Sequence, residues 1–188
     1  MPTVRQVVRS ALRVHAVADQ RDLTTTVLTL WDEATHREEW YAALAVLQAP
    51  RHRTWRDLTL LPLYDHLVVT GHWWDVVDDL ATHSLGELLV LEPEQVGRLM
   101  REWAVDDDVW RRRSALVCQV GAKTDTDVAL LADVVRVNLD DADFFVRKGI
   151  GWALRAYART DPEWVRAFVD AHRDQLSPLS VREATKHL

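Results

Sequence analysis

Trp74-Asp75-Val76-Val77-Asp78, Trp110-Arg111-Arg112-Arg113-Ser114, Val146-Arg147-Lys148-Gly149-Ile150 and Val181-Arg182-Glu183-Ala184-Thr185 are four short stretches whose stacking decides the fold. Their second residues lie 36, 36 and 35 positions apart, and Glu38-Glu39-Trp40-Tyr41-Ala42 is a weaker copy another 36 residues upstream. A period of this size holds two helices and two turns, the unit of an α-solenoid. Helix-start grammar agrees. Asp161-Pro162-Glu163 supplies an N-cap, a proline at the first helical position and a first-turn acid, Glu92-Pro93-Glu94 repeats most of it, and Ser180 with Glu183 reads as a capping box for a last helix.

Working outward, the apolar periodicity predicts helices over 3–17, 20–32, 36–48, 54–69, 72–90, 93–104, 109–121, 126–138, 143–159, 162–175 and 180–188. No Asn-Gly or Asp-Gly pair marks a hairpin, and only six glycines punctuate the 188 residues. The expected fold is therefore all-α, an α–α superhelix of HEAT-like repeats forming one domain over 1–188. The second helix of each pair is expected to line a concave face, where chemistry is to be sought.

The formal net charge is −6, which argues against a surface coated for polyanions. Its distribution is uneven: residues 1–108 carry 10 basic and 18 acidic side chains, residues 109–159 carry 9 and 6, and residues 160–188 carry 4 and 5. The basic excess lies in one interior stretch. Cys118, the lone cysteine, sits in the apolar run Ala115-Leu116-Val117-Cys118 and reads as a buried thiol. No two histidines lie three or four residues apart, so a zinc site has no support, and neither a metal nor a cofactor is expected. No apolar run reaches membrane-span length and no export core follows Met1-Pro2-Thr3, so the expected location is the cytoplasm. Thr82-His83-Ser84-Leu85-Gly86 and Gly149-Ile150-Gly151 mimic fragments of a nucleophile elbow and a dinucleotide fingerprint, but both fall in helical patterns.

Nine tryptophans stand out. Trp31, Trp40, Trp103 and Trp164 fall on apolar stripes and read as packing residues. In His72-Trp73-Trp74-Asp75-Val76-Val77-Asp78, one indole is expected to be buried and the other displayed. Trp74 and Asp78, four apart, share a helix face and can address one ligand with an aromatic plane and a carboxylate. The competing reading makes Asp75 and Asp78 partners of a helix N-terminus and Trp74 a core residue. With the copies in register at about 100° per residue, Trp74, Asp78 and Arg113 fall within about 100° of one another. Trp152 lies further round, within about 160° in all, on a stripe with Arg155 and Arg159. Arg113 reads equally as a solvated charge or an inter-repeat ion pair, and Trp152 as core.

The sequence resembles the DNA alkylation-repair glycosylases of the AlkD type, which are HEAT-like repeat proteins. Trp73-Trp74-Asp75-x-Val77-Asp78, Trp110-x-x-Arg113-x-Ala115 and Phe144-Phe145-Val146-Arg147-Lys148-Gly149-Ile150-Gly151-Trp152-Ala153-Leu154-Arg155-x-Tyr157-Ala158 carry the likeness. It continues through Thr160-Asp161-Pro162-Glu163-Trp164-Val165 and Leu179-Ser180-x-Arg182-Glu183-Ala184-x-Lys186-His187. The resemblance implies that Asp78 is the catalytic carboxylate and that Trp74 and Trp152 cradle the lesion's deoxyribose. It also implies that Arg113 meets a DNA phosphate and that Arg155, Arg159 and Lys148 belong to the DNA-binding surface. The implied reaction is hydrolysis of the N-glycosidic bond of cationic N3- and N7-alkylated purines in duplex DNA, without base flipping, by an enzyme associated with the nucleoid when it acts.

Relative to the family, both ends look shortened, and an uncapped N-terminal repeat face leads to an expectation of homodimerisation or reduced stability. The competing function is a non-catalytic HEAT-like scaffold for DNA or protein. A small-molecule hydrolase using Asp75 with Asp78 is a third, lacking any glycine-rich or metal site.

Overall fold

The computed structural model describes residues 2–188, and among these residues the secondary structure is helical throughout. The chain divides into two compact units, 1–80 and 81–188. It has the all-α architecture of an α–α superhelical repeat fold. No helix is long and apolar enough to cross a membrane among the described residues.

The first unit holds α1 (Pro2–Val14), α2 (Gln20–Asp32), α3 (Arg37–Leu47), α4 (Leu61–Gly71) and α5 (Trp74–Asp79). Its core is built from Leu23, Val27, Leu44, Leu47, Leu67 and Val68, with Val76 and Val77 contributed by α5. Trp31 and Trp40 pack here as expected, their rings stacked with centroids 5.3 Å apart. Neither indole N–H is wasted: Trp31 Nε1 donates to Thr70 Oγ1 at 2.8 Å, and Trp40 Nε1 to the Trp31 carbonyl at 3.0 Å. The helix expected over 54–69 begins later, at Leu61. Two 3₁₀ turns, Pro50–Trp55 and Leu58–Leu60, precede it, because Asp57 folds back to accept from the Thr59 N–H and breaks the run.

His52, in the first of these turns, is buried, donates from Nδ1 to the Val46 carbonyl at 2.8 Å, and stacks on Trp55. Burial pushes its pKa below 6.5, with Arg51 and Arg56 acting in the same direction. The fold thus favours neutral imidazole, while the unfolded chain binds more protons just below pH 6.5. Stability is full above that pH and declines as pH falls toward the folded pKa. The melting temperature is expected to drop by roughly a few degrees between pH 7.5 and 5.5. His52→Gln, which keeps a donor but does not titrate, is expected to flatten that drop in thermal melts.

The second unit holds α6 (Gly86–Leu91), α7 (Pro93–Trp103), α8 (Val109–Val117), α9 (Val128–Arg136), α10 (Phe144–Tyr157), α11 (Pro162–Ala171) and α12 (Pro178–Ala184), and Leu80–Leu85 is π-helical. The elbow-like Ser84 is buried in helix, and Gly86 lies against the Cys118 carbonyl, where an added Cβ would come within 2.6 Å. Burial pushes the Cys118 thiol up to about 12, so it stays protonated and unreactive.

Repetition here is written in caps. Asp108 accepts from the backbone of Trp110 and Arg111, and Asp143 accepts from Phe145 and Val146. Each cap's own N–H donates to an aspartate two residues earlier, Asp106 at 2.8 Å and Asp141 at 2.7 Å. Arg112 and Arg147 then reach back to the carbonyls of those same aspartates. Arg112 also pairs with Asp141 at 3.0 Å, and Trp110 packs on Phe145 with centroids 4.9 Å apart, joining one repeat to the next. The capping residues of α5, α8, α10 and α12 are Trp73, Asp108, Asp143 and Ser177. Their spacing is 35, 35 and 34, one residue tighter per step than the spacing expected from the stacked stretches.

The final helix corrects another expectation. Ser177, not Ser180, is its N-cap, accepting from the Ser180 N–H at 3.0 Å, with Pro178 at the first position. Glu183 therefore makes no capping box. It faces α10 instead, accepting from Lys148 Nζ at 2.9 Å and from Arg155 at 2.5 Å, and both cations hold its carboxyl below the usual range.

Candidate nucleic-acid interface

In the first unit, α4 ends at His72 in the left-handed region, φ 46°, and the chain then extends through Trp73 before α5 begins at Trp74. Helical spacing consequently fails between the two tryptophans, and neither is buried: Trp73 is 40% exposed and Trp74 is 47% exposed. The expectation of one buried and one displayed indole is corrected, and the core assignment for Trp74 goes with it. The Arg37 guanidinium lies 5.5 Å from the Trp73 ring centroid.

The three acids of α5 separate by partner. Asp75 accepts from Tyr41 Oη at 2.5 Å, a bond that with partial burial raises the Tyr41 pKa, and it lies 3.5 Å from the Arg37 guanidinium. Asp79 pairs with Arg5 of α1 at 3.2 Å. Asp75 and Asp79 thus fasten α5 to α3 and α1, which removes the basis for an Asp75/Asp78 hydrolase pair. Asp78 lies one turn after Trp74 and is buried, 8% exposed.

Counting from each N-cap instead of from the stacked stretches changes the register. Asp78, Arg113, Lys148 and Arg182 each stand five residues after their cap, at the same position of successive repeats. Trp74 stands one residue after its cap and Trp152 nine after its own. At about 100° per residue these three positions span about 80° of a helix circumference. In the repeat's numbering Trp74, Asp78, Arg113, Lys148 and Trp152 therefore fall at i, i+4 and i+8 positions, each on its own helix, a narrower spread than the 160° expected.

In the second unit, Arg113 is 5% exposed, so it is not a solvated charge, and one of its guanidinium N–H groups donates to the Phe145 carbonyl. Trp152 is half-buried and borders a cleft of about 520 Å³ with Lys123, Thr124, Arg155, Arg159 and Thr160. No carboxylate lines that cleft among the described residues. Arg155 and Lys148 are both engaged by Glu183, whereas Arg159 is exposed and has no ion pair among the described residues. Sequence reasoning missed Lys123 and Thr124, in the 3₁₀ turn Lys123–Asp125 between α8 and α9, and Thr160, between α10 and α11, where no helical period flags them.

A model of a family described as "DNA alkylation repair enzyme" matches residues 1–188. The chain belongs to that family. Family membership makes it an enzyme of DNA repair whose substrate is DNA. Among solved structures it is similar to a predicted DNA alkylation repair enzyme from Enterococcus faecalis, at 26% identity and a TM-score of 0.88, over 100% of this chain and 85% of that one. No curated protein matches the chain.

Proposed function

We propose that this repair enzyme is a DNA glycosylase that hydrolyses the N-glycosidic bond of cationic N3- and N7-alkylated purines in duplex DNA, without base flipping, acting at the nucleoid. The observation that carries this reading is on α5, where an exposed Trp74 precedes the Asp78 carboxylate by one turn on the same helix face.

The chemistry suits those groups. An alkylated purine already bears positive charge, so the C1′–N bond breaks with its electron pair passing to the purine ring, and no general acid is needed. The sugar becomes an oxocarbenium ion. Asp78 stabilises that charge and accepts the proton of the water that adds to C1′, giving an abasic site and a free neutral purine. The indole faces of Trp74 and Trp152 attract the developing cation by roughly 0.5–2 kcal/mol each. Arg113, Arg155, Arg159 and Lys148 serve the phosphates, which fix position and carry no sequence choice.

A second reading, a non-catalytic DNA-binding scaffold, draws on the low exposure of Asp78 and on the engagement of Lys148 and Arg155 by Glu183. The two separate on incubation of the protein with a duplex bearing a single 7-methylguanine, followed by alkaline cleavage. Strand scission at the lesion and none at unmodified guanine is the expected result. Retained binding without scission would leave the scaffold.

A further inference from the structure

We propose that Lys123, with Arg159, Thr124 and Thr160, forms a phosphodiester-binding subsite beside Trp152 that anchors one strand of duplex DNA. This rests on the reading of the protein as a DNA glycosylase.

The lining of the cleft carries three cations and two hydroxyls around one indole, and no carboxylate among the described residues. The side chains of Lys123, Arg159, Thr124 and Thr160 have no hydrogen-bond or ion-pair partner among the described residues, whereas Arg155 on the same wall is already paired with Glu183. Two unpaired cations flanked by hydroxyl donors match the charge and the hydrogen-bond demand of a phosphodiester. A half-buried indole alongside suits the sugar or base edge attached to it.

The backbone adds an independent observation. Lys123 stands in the left-handed region, φ 55°, which disfavours any residue with a Cβ. Gly121, two residues earlier, could hold such a conformation freely, yet no glycine has a positive φ and the strain falls on the lysine. The loop is not slack. Gln119 clasps its far end, donating to the Asp127 carbonyl at 3.1 Å and accepting the Asp127 N–H at 2.7 Å. A strained lysine in a braced loop beside a cation-lined cleft is what a positioned phosphate contact requires.

The test pairs two variants with opposite effects on stability. Lys123→Gly relieves the left-handed strain and is expected to raise the melting temperature. It and Lys123→Gln are both expected to weaken binding to an unmodified 20-base-pair duplex several-fold. Both are also expected to reduce the slope of log affinity against log salt by about 0.9, the loss of one phosphate contact. Fluorescence anisotropy between 50 and 200 mM salt, figures on the order of those that reveal such slopes, supplies the readout. Unchanged affinity and slope in both variants, with lesion excision intact, would overturn the subsite and leave the glycosylase reading standing. A reduced slope in a protein that binds DNA but excises nothing would keep the subsite and overturn the glycosylase. A wild-type protein that binds no duplex would overturn both.

Discussion

Asp78→Asn is expected to abolish detectable excision of 7-methylguanine while leaving duplex affinity and melting temperature close to wild type. Asparagine matches aspartate in shape, so the buried side chain loses its charge without opening a cavity. What disappears is the stabilisation of the cationic sugar. Removing one preorganised electrostatic partner of a charged transition state lowers turnover by about 10²–10³-fold. Because the departing purine is already cationic, no general acid contributes, and the whole loss falls on stabilisation of the sugar cation and activation of water. Single-turnover excision is the measurement to make, since it isolates bond cleavage from product release. Wild-type turnover in the variant would remove Asp78 from the chemistry. Loss of folding would instead identify it as a structural carboxylate.

Gly151→Ala is expected to destabilise the second unit by about 1–3 kcal/mol, an overpacking effect with little room for relief. A Cβ at that position would come within 2.4 Å of the Glu183 Cβ and 3.0 Å of the Ser180 carbonyl oxygen. Neither obstacle is the far end of a flexible chain, so α12 itself must move. The same displacement pulls Glu183 from Lys148 and Arg155 and disturbs the bond from Ser180 Oγ to the Arg147 carbonyl. For a chain of this length each kcal/mol corresponds to about 2–4 °C in melting temperature. Gly121→Ala is the control: nothing lies within 4 Å of a Cβ there, and its melt is expected to match wild type. Equal melts for both variants would mean that α12 accommodates the methyl group.

Much of the architecture was legible because helices announce their starts chemically. Asp161-Pro162 reads the same way on paper and in three dimensions, with Asp161 accepting from the Trp164 N–H at 2.9 Å. The period was legible too, but its register was off by one. The stacked stretches were aligned on apolar and charged side chains, which drift around a helix, whereas the caps that fix each repeat are single residues. Ser177-Pro178 carries the same grammar as Asp161-Pro162, and recognising it would have freed Glu183 from a supposed capping box. The paired exposure of Trp73 and Trp74 was hidden for a related reason. A left-handed histidine, rarely signalled by sequence, ends α4 just before them. Lys123 was invisible because loops have no period, and its importance shows only through its backbone angle and its neighbours.

The aspartates at helix starts also bear on how acidic this protein is toward another polyelectrolyte. Asp108, Asp127, Asp143 and Asp161 each accept backbone N–H groups at the positive end of a helix, so much of their field closes on the protein itself. The sequence composition, which counts them as full charges, gives an isoelectric point near 5.7, but an approaching strand of DNA meets carboxylates already accepting backbone N–H groups. A share of the bulk acidity in this chain is thus masonry, and the potential felt at close range depends on which cations are left without an internal counterion.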